Sequence, residues 1–280
     1  MAVSETPPEP AGAEPVRSER TRETLRVRYK DLMPRFIVGV LLIAIAIFGG
    51  WQGGLFFNFL MGIAALLVFR EWTRMVGTTA GNDRMVGFIG IGAAVVLGND
   101  GLVMYGFAAL AVAAIWYLFT DRRAAMGILY AGLPFMCLIW LRYQENGFGL
   151  IVWTLAVVWA TDIGAYFSGR TIGGPKIAPA ISPSKTWAGL AGGMFAAAGV
   201  GVLNDFIFQL PFEAVHAAAL GALLAVIAQV GDFYESHLKR RAGVKDSGHL
   251  LPGHGGVMDR LDGLVPVSIL VASAVWFIGQ

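Results

Sequence analysis

Apolar residues fall along the chain in long blocks, at about 36–50, 54–70, 85–99, 101–119, 126–141, 147–168, 187–204, 212–231 and 263–279, separated by short polar stretches. A helix rises about 1.5 Å per residue, so runs of this length cross or nearly cross a hydrocarbon layer about 30 Å thick. The pattern predicts an all-α polytopic membrane protein with about nine transmembrane helices. Residues 1–33, rich in Pro, Glu and Arg and poor in apolar side chains, are expected to form a disordered cytosolic tail. Residues 34–145 read as N-terminal transmembrane helices, and 146–280 as a second transmembrane region that also carries polar segments.

Composition agrees with this reading. Of the 280 residues, 56% are apolar and 14% charged, against roughly 25% charged in an ordinary soluble domain. A single cysteine, Cys137, lies inside the apolar run MGILYAGLPFMCLIWL and excludes a disulfide framework or a Cys-based metal site. A net charge of +2 gives nucleic-acid binding no support.

The distribution of charge is more informative than its sum. If the N-terminus is cytosolic and the chain alternates sides through nine spans, 20 of the 21 Lys and Arg residues face the cytosol and only Arg142 lies outside. Basic residues favour the cytosolic side, so this alternation fixes the expected orientation. The outer loops, WQGG, LGND, RYQENGFG and NDFIFQLPFE, leave little room for chemistry. Function is expected on the cytosolic face.

Three segments on that face are polar in an unusual way: WATDIGAYFSGR (159–170), ISPSKTWAG (181–189) and GDFYESHLKRRAGVKDSGHLLPGHGGVMDRLDG (231–263). Asp162 precedes Arg170 by eight residues, about 12 Å into the sixth span. A carboxylate at that depth costs roughly 2.5–3.5 kcal/mol on insertion scales, so it is expected to face a cavity, a cation or a partner. Asp232, Glu235, Ser236 and Lys239 follow i, i+3, i+4, i+7 spacing and share one helix face. Asp259 and Asp262 share another, at the start of the last helix.

Carboxylates with hydroxyls nearby suit a hard cation such as Mg²⁺ that keeps water and phosphate oxygens as further ligands. Charge compensation at a helix N-terminus would account for Asp259 and Asp262 singly. It leaves His254, Gly255, Gly256 and the concentration of Lys and Arg among the acids unexplained. Basic side chains beside an oxygen-ligated metal are what phosphoryl or nucleotidyl transfer requires, because the work is positioning and neutralisation of spread negative charge. In ISPSKTW, Ser182, Ser184 and Lys185 beside Pro183 form a small candidate anion site. The paired glycines are expected to let a phosphate approach a helix N-terminus.

Residues 236–262, SHLKRRAGVKDSGHLLPGHGGVMDRLD, resemble the signature of the phosphatidate cytidylyltransferase (CDP-diacylglycerol synthase) family at every element and spacing. DIGAYFSGR, SPSKTW and GDFYES resemble that family's other segments, so the likeness is specific over roughly 150–280. It implies transfer of a cytidylyl group from CTP to phosphatidate with Mg²⁺, in a bacterial inner membrane, by a homodimer that also uses a monovalent cation such as K⁺. Ala188 departs from the pattern, where relatives often carry an acidic residue. Carried onto this sequence, the metal positions are Asp232, Asp259, Asp262 and Asp162. Lys239, Lys245 and Asp246 join the three signature aspartates in catalysis. Ser182, Ser184, Lys185, Ser236, Arg240, His254, Gly255, Gly256 and Arg260 fall to substrate binding.

Two rivals make different demands. A CDP-alcohol phosphotransferase would carry DGxxAR followed by GxxxDxxxD, which this sequence lacks. A cation-coupled transporter would use Asp162 but leaves HGGVMDRLD without a role.

Overall fold

The structure is a computed structural model that describes residues 37–77, 82–99, 101–251 and 255–278. The expected tail at 1–33 and His254 lie outside the described residues. Each of the nine apolar blocks is helical among the described residues. In chain order these are α1 (Ile37–Gln52), α2 (Gly54–Val76), α3 (Asn82–Leu97), α4 (Val103–Thr120), α5 (Arg122–Arg142), α6 (Gly147–Thr171), α7 (Trp187–Phe208), α8 (Ala214–Arg241) and α10 (Leu264–Ile278). A one-turn helix, α9 (Met258–Leu261), precedes the last.

Six of them, α2, α4, α5, α6, α7 and α8, are long and apolar enough to cross a membrane; α1, α3 and α10 are apolar but shorter. The chain is an all-α multi-pass membrane protein. Exposed Phe, Leu and Ile side chains, such as Phe119, Phe195 and Phe206, cover the outside of the bundle, as lipid contact requires.

Helix α5 is the most enclosed and packs against α2, α3, α4, α6 and α10. A second group, α6, α7 and α8, packs side by side through small residues. A Cβ on Gly164 of α6 would stand 2.6 Å from the Gly192 carbonyl of α7, and one on Gly221 of α8 would stand 2.5 Å from the Ala197 carbonyl. Close backbone approach replaces the hydrophobic drive that is missing between helices in lipid. Arg142, the basic residue that breaks the charge rule, has a structural task. Its guanidinium donates from Nε to the Gly50 carbonyl at 2.6 Å and from Nη2 to the Trp51 carbonyl at 3.2 Å, closing the end of α1.

One element has no counterpart in the hydrophobic pattern. Residues 176–186 form an antiparallel hairpin, β1 (Lys176–Ala178) with β2 (Ser182–Thr186), between α6 and α7. Thr186 ends β2 and caps α7, its Oγ1 accepting from the Gly189 N–H at 3.0 Å. SPSKT is therefore a strand that delivers Lys185 to a defined place. The C-terminal ends of α2, α6 and α8 meet the hairpin, residues 242–251 and 255–257, α9 and the start of α10 at one end of the bundle.

Candidate active site

Two linked clusters of charge occupy that end. In the first, the Lys185 ammonium pairs with Asp232 of α8 and lies 4.7 Å from the centre of the Phe233 ring. Ser236, one turn on, donates to Asp232 at 3.3 Å. Asp162 of α6 is exposed, and it stands within electrostatic reach of Lys185, Asp232 and Arg260, so it belongs to the same polar cluster. Asp262, between α9 and α10, faces Asp232, Asp162 and Lys185. Burial, and then the Asp232 charge, push its carboxyl up to about 7 against the opposing Gly263 N–H at 2.8 Å.

In the second cluster, Lys239 bridges Glu235, at 3.0 Å, and Asp259, at 2.7 Å. The other Asp259 oxygen accepts backbone N–H groups from Ser247, at 2.9 Å, and Gly256, at 2.8 Å. Burial would raise the Asp259 carboxyl, but the Lys239 ammonium and the Gly256 and Ser247 N–H groups hold it below the usual carboxylate range. Glu235 is fully buried, with its second oxygen unpartnered among the described residues. The hydroxyl of Tyr130, from α5, is likewise buried and unpartnered, within electrostatic reach of Glu235 and Asp262. Its ring stands 5.0 Å from that of Trp72 and 6.1 Å from that of Tyr234.

The signature residues thus divide by place. Asp162, Lys185, Asp232, Ser236, Arg260 and Asp262 make up the first cluster. Lys239 and Asp259 form a buried pair beside it. Ser184, Arg240, Lys245 and Asp246 are exposed at the rim, and Ser182 is half-buried in the hairpin. Arg240 donates to the Val244 carbonyl at 3.3 Å and shapes the loop that follows α8.

The glycines answer to packing rather than to an open phosphate cradle. Gly255 has φ +83, a conformation that disfavours side chains, and a Cβ there would stand 2.6 Å from Asp259. A Cβ on Gly256 would collide with Ser247 and with a carboxylate absent from the sequence-derived set, that of Glu71. The N–H groups of Gly256, Val257 and Met258, expected to receive an anion, already donate to Asp259 and Glu71.

Glu71, on α2, looks like one more charge beside Arg70 and Arg74 at a helix end. Tyr130 and Trp72 look like ordinary apolar-face aromatics. Nothing local marks any of the three, because their partners lie far away in sequence.

Carboxylates are hard oxygen donors of the kind a divalent cation takes, and Asp232, Asp262 and Asp162 stand within electrostatic reach of one another. Among the described residues, no three Asp, Glu, His or Cys side chains are already grouped closely enough to hold a metal ion. Carboxylates and ammonium groups concentrated at one end of a bundle of apolar helices suit phosphoryl or nucleotidyl transfer at a membrane.

The sequence model described as "Cytidylyltransferase family" matches residues 33–278. A phosphatidate cytidylyltransferase of Brucella suis is 40% identical over 251 residues, covering 86% of this chain and 92% of its own. One of Pseudomonas aeruginosa is 33% identical over 267 residues, 89% of this chain and 98% of its own. One of Bacillus subtilis is 41% identical over 138 residues, about half of each chain. The chain belongs to the cytidylyltransferase family, whose members are nucleotidyltransferases that use CTP.

Proposed function

We propose that this chain is a phosphatidate cytidylyltransferase, transferring CMP from CTP to phosphatidate to give CDP-diacylglycerol and pyrophosphate. One observation carries the reading. Asp162, Lys185, Asp232, Arg260 and Asp262 cluster at one end of the bundle, in a chain 40% identical to a named phosphatidate cytidylyltransferase over 86% of its length.

A phosphatidate phosphate oxygen attacks the α-phosphorus of CTP, the bond from that phosphorus to the β-phosphate bridging oxygen breaks, and pyrophosphate leaves with the electron pair. The nucleophile is already an anion, so no side chain has to act as a strong base. Asp232 and Asp262, with Asp162 nearby, would hold Mg²⁺, which would neutralise charge on the phosphates. Lys185 and Arg260 orient phosphate oxygens from the hairpin and from α9. Arg240, Lys245 and Asp246 at the rim, with Ser182, Ser184, Ser236 and His254, guide the nucleotide in. Lys239 and Asp259 hold the α8–α9 junction at the edge of the metal site, and Gly255 and Gly256 give that junction its shape. We assign K⁺ as a supporting monovalent cation and a homodimer as the assembly.

All nine apolar helices cross the bacterial inner membrane in this reading, with the site opening to the cytosol. The support is the alternation that puts 20 of 21 basic residues on one side. That face suits the substrates, since a nucleotide arrives from the cytosol and phosphatidate from the leaflet. The test is purified protein in mixed detergent and phosphatidate micelles with Mg²⁺ and CTP labelled at the α-phosphorus. Label is expected in a lipid product. Label that stays in the aqueous phase, with the protein monodisperse, would overturn the proposal.

A further inference from the structure

Glu71 belongs to the first half of the chain, yet both its oxygens are directed at the signature. Its Oε1 accepts the Val257 N–H at 3.0 Å, and its Oε2 accepts the Met258 N–H at 2.8 Å and the Ser247 hydroxyl at 3.1 Å. The residue is 6% exposed, so these bonds form away from water.

Helix α9 has no capping side chain of its own, because position 257 is valine. The first N–H groups of a helix need acceptors, and a charged acceptor is the stronger choice. Glu71 supplies it from another helix. Two signature glycines leave room for this carboxylate: a Cβ on Gly256 would stand 2.5 Å from Oε2, and one on Gly248 would stand 2.7 Å from Oε1. The three nearest atoms to that Gly248 Cβ all belong to Glu71.

We infer that Glu71 is a positioning residue for cytidylyl transfer: by capping α9 from α2, it fixes the turn that carries Asp259, which locks α9 to α8, and Asp262, which faces Asp232 and Lys185. This rests on the proposed transferase reading. Both Glu71 oxygens are taken up by the backbone N–H groups of 257–258 and the hydroxyl of Ser247, so it acts through them. A neutral amide of equal shape turns one acceptor into a donor facing N–H groups, and α9 must then rotate or shift. Displacements of about 1 Å at reacting groups cost on the order of a hundredfold in rate.

The test compares wild type, Glu71→Gln, Glu71→Ala, Gly248→Ala and the double variant Glu71→Ala/Gly248→Ala, each purified as the full chain and checked for monodispersity. Glu71→Gln is expected to lower kcat at least tenfold and to raise the Mg²⁺ concentration for half-maximal rate severalfold, with KM for phosphatidate within twofold of wild type. Gly248→Ala, whose added methyl meets Glu71 first, is expected to show the same pattern, more mildly. The double variant is expected to be no slower than Glu71→Ala alone, because both changes act through one contact.

A monodisperse Glu71→Gln protein with wild-type kcat and Mg²⁺ dependence would overturn the inference. Independent, multiplying losses in the double variant would do so too. If the Glu71 variants aggregate, Gly248→Ala alone decides: unchanged kinetics in that folded variant reject the positioning role. An inactive wild type would instead reject the transferase reading, and so stands apart from these outcomes.

Discussion

Lys239 and Asp259, twenty residues apart in sequence, meet at 2.7 Å with side chains only 12% and 5% exposed, and so lock the end of α8 to α9. Asp232, two turns before Lys239 on the same face of α8, is 32% exposed and pairs with Lys185. The two aspartates have the same chemistry and different surroundings.

Asn substitutions are expected to separate them. Asp259→Asn leaves Lys239 with a single buried partner, and breaking a buried pair costs about 3–5 kcal/mol. A clearly lower thermal midpoint in detergent is expected, together with loss of turnover. Asp232→Asn, at a more hydrated position, is expected to change stability by about 1 kcal/mol or less while turnover still collapses. Equal thermal midpoints for the two variants would show that the Lys239–Asp259 pair does not hold this junction.

The sequence made the helices legible because lipid imposes a simple rule: each apolar block long enough to cross must satisfy its own backbone as a helix. The signature aspartates were legible because charge is costly at a membrane boundary and needs a reason. The hairpin at 176–186 was not, since a five-residue strand containing Pro183 has no apolar alternation to betray it. Glu71 was not legible either. Its donors, Ser247, Val257 and Met258, lie 176 to 187 residues away, and its neighbours Arg70 and Arg74 make it look like an ordinary boundary charge. The glycines of HGG were noticed, but the space beside them belongs to Asp259, Ser247 and Glu71, which only the folded chain displays.

Proton competition at Asp262 gives a pH dependence with a definite sign. With its carboxyl pushed up to about 7, Asp262 holds a proton through the mildly acidic range, and a cation must displace it. The Mg²⁺ concentration for half-maximal rate is expected to rise as pH falls below about 7, approaching tenfold per unit. Above about 8 it is expected to level off. A flat Mg²⁺ requirement between pH 6 and 8 would remove Asp262 from the metal site.

Orientation is open to a labelling test. Ser184 and Arg241 are exposed at the polar end, and Cys137 is buried, so single cysteines at 184 and 241 report without background. An impermeant maleimide is expected to leave both unlabelled in intact cells and to label both in inverted vesicles. Labelling in intact cells would reverse the assigned topology.

The most direct measurement of the central claim follows α-labelled CTP into lipid for wild type and Asp232→Asn side by side, counting pyrophosphate in the same samples. Wild type is expected to form labelled lipid and pyrophosphate in equal amounts, and only with both phosphatidate and Mg²⁺ present. Asp232→Asn, folded and inserted, is expected to be slower by about a thousandfold, a loss of about 4 kcal/mol in transition-state stabilisation. Labelled lipid formed by Asp232→Asn at more than a tenth of the wild-type rate would contradict the claim that the cluster of Asp232, Asp262 and Lys185 is where CMP is transferred.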